Sequence, residues 1–224
     1  MKSPSLLLSR SIILALVFLL LSVAAVHSKT IDYSTMSKTE LQNTIASLEL
    51  GFGSYVIGKA LTAEQLAVAK NNPIEKAYAG MRNFKDGEIF VTIDKESNVV
   101  IVLHKRNKKA NKNDFKTMIS DLMMQYGEPT AEAHGKTIYW NYNEDGVISE
   151  ELYRTVKSQG DLAKLTVLAT VKFSSTENVE TMTDMIQMMD KKNQQGEAVK
   201  KADISSDNYV MIQSDLLSQK YLKK

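Results

Sequence analysis

Apolar residues recur along this chain at two spacings, three to four and two, and the switches between them outline its elements. Leu41, Ile45 and Leu48 follow Ser37-Lys-Thr-Glu40, a capping box in which the serine accepts from the backbone and the glutamate reaches back. A short helix is expected over 37–49. The stretch LGFGSYVIGKAL then carries glycines at 51, 53 and 58. Thr62 and Gln65 repeat the cap and open a second helix that stops at Asn71-Asn72-Pro73. Proline at a first helical position starts a third, carrying Ile74, Ala77, Tyr78 and Met81. Phe84 and Asp86-Gly87 make the turn after it.

The two-residue spacing takes over at EIFVTI and VVIVLH, which flank DKESN and read as a hairpin. Ile89, Val91 and Ile93 share one face; the second strand is apolar on both and is expected to be central. A polar loop, KRNKKANK, leads to a helix from Asn113 whose stripe is Phe115, Met118, Ile119, Leu122 and Tyr126, with Met123 at its edge. Gly127 and Pro129 end that helix, since glycine tolerates the left-handed conformation and proline cannot continue the ladder. A third strand over 137–142 sets Trp140 on one face, packed beneath the preceding helix, and Tyr139 and Asn141 on the other. A polar, acidic excursion, 143–164, separates it from a fourth strand over 165–173. A helix over 176–192 has Glu177 and Glu180 in its first turn and Lys191 and Lys192 in its last, as the helix dipole prefers. Beyond Gly196 the pattern thins to a short strand at NYVMI and a terminal helix at SDLLSQKYLKK.

This order implies the α+β class: an antiparallel sheet of about four strands with helices packed on one face, preceded by an N-terminal helical segment. The expected divisions are a leader over 1–28, the helical segment over 29–82, a core domain over 83–192 and a C-terminal extension over 193–224.

Composition then bears on where such a chain works. Lys2 and Arg10 precede SIILALVFLLLSVAAV, a run shorter than the roughly 20 residues a spanning helix needs. With small residues Val26 and Ser28 behind it, the pattern is a secretory signal peptide cut after Ser28. Periplasmic or secreted localisation is expected, with membrane contact only through the cleaved leader. The chain has 28 Lys and Arg against 26 Asp and Glu; losing Lys2 and Arg10 balances them, which removes any electrostatic case for nucleic acid. There is no cysteine, so disulfides, thiol catalysis and a cysteine metal site are excluded, and the core alone holds the fold.

Four groups of residues are candidates for chemistry. His134 with Glu128 or Glu132 has the composition of a general acid–base pair, which a hydrolase could use together with the acids of 143–151. No serine or cysteine elbow accompanies it, and His134-Gly135 has the look of a loop tip. Met182, Met185 and Met188 offer soft thioethers to Cu(I). Against that, Val179, Met182, Met185, Ile186 and Met189 form a stripe at helical spacing, as core filling does. Lys105, Arg106, Lys108 and Lys109 form the basic cluster, suited to anionic headgroups, cell-wall polymer or an acidic partner, or simply a solvated loop. GFGSYVIG lacks the third glycine of a dinucleotide fingerprint and the spacing of a hydrolase elbow. No cofactor is implied.

Amphipathic helix, Tyr126-Gly127-x-Pro129, about ten residues and then a strand carrying Trp140: this succession resembles small exported bacterial proteins of uncharacterised function. The resemblance covers 114–173 and implies a periplasmic α+β module without an assigned catalytic site; the long excursion at 143–164 departs from its shorter hairpin. The function expected is a non-catalytic binding or scaffold module of the cell envelope, its partner an unknown protein or apolar ligand.

Overall fold

The computed structural model describes residues 32–33, 35–176 and 206–222. The chain divides between Asp32 and Tyr33, and every described element lies in the unit Tyr33–Lys224. The expected leader lies outside the described residues, as does the expected methionine-bearing helix beyond Thr176.

Both N-terminal caps form as expected. Helix α1, Lys38–Ala46, has a capping box between Ser37 and Glu40, and α2, Ala63–Asn71, has one between Thr62 and Gln65. Between them, β1 (Gly51–Phe52) and β2 (Tyr55–Val56) make a small separate hairpin. The rest is one antiparallel sheet. Its strands are β3 (Pro73–Ile74), β4 (Met81–Asp86), β5 (Ile89–Asp94), β6 (Val100–Ala110), β7 (Ala131–Ala133), β8 (Thr137–Asn143), β9 (Gly146–Val147), β10 (Ala169–Ser175) and β11 (Ser206–Gln213). They lie in the order β3-β4-β5-β6-β11-β10-β8-β7, with β9 on β8. Helices α3 (Lys112–Tyr126), α4 (Glu150–Ser158) and α5 (Asp215–Leu222) complete the described elements.

The class is therefore α+β with an antiparallel sheet, as expected, but the sheet has nine strands rather than about four. Three misreadings account for most of the difference. The helix expected from Pro73 is instead β3 and β4: Ile74, Ala77, Tyr78 and Met81 recur at helical spacing, but Ala77 and Tyr78 are exposed in the connection between the two strands and only Met81 is buried. KRNKKA is not a loop: β6 continues through it to Ala110, since β11 supplies hydrogen-bonding partners as far as Ser206. The strand at NYVMI is longer than those five residues and sits in the middle of the sheet, between β6 and β10. Its buried side holds Ser206 and Asn208 beside Val210 and Ile212, so polar core positions hide the alternation. The excursion 143–164 carries β9 and α4, the helix capped by Ser149 and braced by the Arg154–Glu150 ion pair.

The core gathers on one side of the central strands. Trp140, Val171, Ile212, Leu103, Val91 and Phe84 stand opposite one another in adjacent strands, and all are buried. Helix α3 lies against this row: Phe115 meets Phe173 edge-on at 6.0 Å between ring centroids, and Tyr126 meets Trp140 at 6.1 Å. The corner after α3 is structural. Gly127, at φ 77°, caps the helix, and its carbonyl accepts from the indole of the fully buried Trp140. Helix α5 packs on α1 through Tyr221, whose hydroxyl donates to Gln42, while Lys38 sits 3.6 Å over its ring.

Candidate functional site

Strand β5 leaves β6 where Ile89 faces Lys105, whereas β11 follows β6 to its end. From Arg106 onward β6 thus has a strand on one side only. Beside this free edge, between β6 and α3, lies a groove of about 970 Å³. The α3 residues along it, Asp114 to Gln125, span about 16 Å of helix axis at 1.5 Å per residue. Because the groove follows an edge, both faces of the sheet contribute to it. Lys105, Asn208 and Val210 come from the core side, and Phe90 and Arg106 from the other.

One wall is basic and the other acidic. Lys105, Arg106 and Lys108 stand on β6; Asp114 and Asp121 stand on α3. No ion pair among the described residues joins the two walls. The apolar lining is Phe52, Phe90, Met118, Leu122 and Val210. Arg106 is tied to Asp207 at 2.5 Å and lies 5.1 Å from the Tyr209 ring. The Lys109 backbone N–H, donating at 2.9 Å, and then Arg106 hold the Asp207 carboxyl below the usual carboxylate range. Lys109 adopts φ 52°, a left-handed kink that twists the free edge away from regular pairing. A charged, kinked edge also resists pairing with other chains, which is the bland account of this basic cluster.

Two buried donors here have no partner: Asn208 Nδ2 and Arg106 Nε. Asn208 is fully buried, and its carbonyl end already accepts from Ser206 Oγ at 3.1 Å. On the outer side of the sheet His104 stacks on Tyr209 at 5.7 Å and faces Phe90 at 5.5 Å. Burial, and then the charge of Arg106, push the His104 imidazole below its ordinary value, so it is neutral at pH 7.

The acid–base candidates are placed apart from this groove. His134 is exposed in the β7–β8 turn with φ 56°, Glu132 is exposed on β7, and Glu128 is exposed just past the end of α3. Among the described residues, no hydrogen bond joins His134 to either glutamate. Nor does any group of three or more His, Asp or Glu among them stand where it could hold a metal ion. Met182, Met185 and Met188 lie outside the described residues. Of the basic cluster, Lys105, Arg106 and Lys108 are brought to the groove, while Lys109 serves Asp207 through its backbone.

Sequence reasoning missed Asn208, Phe52 and Phe90. Only a polar residue at an inward-facing strand position could have signalled Asn208, and that required knowing that 206–213 is a strand. No family model, curated protein or solved structure matches this chain.

Proposed function

We propose that the protein is an exported, non-catalytic binding module of the bacterial cell envelope and that the α3–β6 groove receives its ligand. The observation that carries this reading is the groove itself: about 970 Å³, with an apolar lining and a rim of unlike charges. Ligand sites are typically concave, largely apolar and a few hundred to 1,000 Å³, with a small number of polar groups for orientation. The basic start and short apolar run of the leader support export. The Phe115–Phe173 and Tyr126–Trp140 contacts support a layer of helix over one face of the sheet, which gives the groove a fixed wall. Lys105 and Lys108, exposed at the rim, supply a basic edge that an anionic or acidic partner would meet first.

The test is retention of envelope components. Protein recovered from an exporting host expressing the full chain is immobilised, challenged with cell-envelope extract and compared with Met118→Trp, which fills the groove from α3. A lipid or protein held by the wild type and released by Met118→Trp is the expected result. Equal retention by both, or none by either, would count against the groove.

A further inference from the structure

Resting on that reading, we infer that the groove takes a single-chain amphiphile with an anionic head, a fatty carboxylate in its simplest form. The head is held by Asn208 and Lys105, and the chain lies along Phe52, Met118, Leu122 and Val210.

The head site follows from register. Lys105 on β6 lies directly opposite Val210 on β11, and Asn208 is two residues from Val210 on the same face. Such diagonal neighbours in an antiparallel pair are about 7–8 Å apart, within reach of a long side chain. Both residues line the groove, so a small anion lodged there would lie between the Lys105 ammonium and the Asn208 amide, which it reaches once that buried amide is uncovered. The group left unpaired on Asn208 is a donor, because its carbonyl end already takes Ser206 Oγ. A buried amide donor without a partner is a cost that native proteins rarely carry unless another molecule repays it. What it lacks is an acceptor, and a carboxylate is acceptor-only. Lys105 is exposed and has no ion pair among the described residues, so its charge is available to the same group.

The acids on the opposite wall leave room for this head. The Asp114 carboxylate is committed to the Asn111 backbone N–H at 3.1 Å, as part of the α3 capping box. Asp121 stands two helical turns farther along. Repulsion from both keeps the anion on the β6 side and points the chain along α3 toward Leu122 and Phe52. The roughly 16 Å of helix along the groove matches about a dozen methylenes at roughly 1.3 Å each, from C–C bonds of ~1.5 Å. Each methylene moved out of water adds to affinity without adding direction, so the amide and the ammonium set orientation while the apolar wall sets strength.

Calorimetry with dodecanoate, dodecanol and acetate, all below micellar concentrations, tests this on protein from an exporting host expressing the full chain. Dodecanoate is expected to bind saturably, dodecanol at least about tenfold more weakly, and acetate without measurable heat. Asn208→Leu keeps the side-chain volume and removes the orphaned amide. It should weaken dodecanoate at least about tenfold while leaving the urea midpoint unchanged or higher. Lys105→Glu, at an exposed position where folding is not at stake, should weaken it comparably. Equal affinities for dodecanoate and dodecanol, with both variants binding as the wild type does, would overturn the anionic head and leave the groove as a ligand site. No dodecanoate binding, with an envelope protein retained by the wild type and released by Met118→Trp, would replace the amphiphile by a protein partner. No binding and no retention would remove both readings.

Discussion

Trp140 Nε1 donates to the Gly127 carbonyl at 2.8 Å, so the indole that closes the core also caps the end of α3. The last carbonyls of a helix have no partner within it, and here a side chain thirteen residues on provides one. Trp140→Phe keeps most of the ring and removes the donor. It is expected to cost about 0.5–1.5 kcal/mol, the net worth of one hydrogen bond, since Gly127 is exposed and water can take the donor's place. Trp140→Ala adds a cavity and should cost about 3–5 kcal/mol. Urea unfolding of the two variants checks both the values and their order.

Gly58 is a second point where one atom decides local packing. At φ 81° it is in the left-handed region, and a Cβ there would stand 2.8 Å from both Ala46 N and Gln42 O of α1. Gly58→Ala is expected to cost about 2 kcal/mol or more, combining the left-handed penalty with displacement of α1. Gly87→Ala, where nothing lies within 4 Å of the new Cβ, should cost only about 1–2 kcal/mol for its conformation. Thermal unfolding of the pair separates crowding from backbone strain.

The Asp94 carboxylate sets the acid side of stability. Burial raises its pKa, but the hydroxyl and backbone N–H of Ser97, donating at 2.6 and 2.7 Å, together with the Lys38 charge and the Glu96 backbone N–H, outweigh that and hold it below its ordinary value. A depressed folded-state pKa gives stability that is fully present above the unfolded value of about 3.9 and is lost as pH falls through the folded value. Asp94→Asn should therefore cost on the order of 1–2 kcal/mol at neutral pH, and the difference should shrink below about pH 4. Urea midpoints measured from neutral pH to pH 3 would show it.

Export makes its own prediction. If the basic start and apolar run act as a leader, the protein recovered outside the cytoplasm begins at Lys29, which intact-mass measurement and N-terminal sequencing would show. Retention of residues 1–28 in that fraction would contradict it.

How much of this was legible in the sequence varied with the range of the forces involved. Local signals read correctly: the Ser37–Glu40 and Thr62–Gln65 boxes, the stop at Gly127 and the α3 stripe of Phe115, Leu122 and Tyr126 all depend on neighbours a few residues apart. Long-range pairing did not. β6 continues through KRNKKA only because β11, about a hundred residues later, pairs with it, and β11 conceals its own period behind Ser206 and Asn208. Ile74, Ala77, Tyr78 and Met81 mislead in the opposite sense, since their helical spacing spans β3, an exposed connection and the start of β4. The groove inherits this limit. Lys105, Arg106 and Lys108 stood out as a cluster, but the surfaces they face, Phe52, Met118 and Asn208, come from three other parts of the chain.

Hydrogen exchange of the protein, with and without an envelope component that it retains, reads occupation of the α3–β6 groove. Exchange is expected to slow in β6 over 105–110 and in α3 over 114–125, with the β7–β8 turn around His134 unchanged. Protection confined to that turn, with β6 and α3 unaffected, would contradict it and move the working surface to His134 and Glu132.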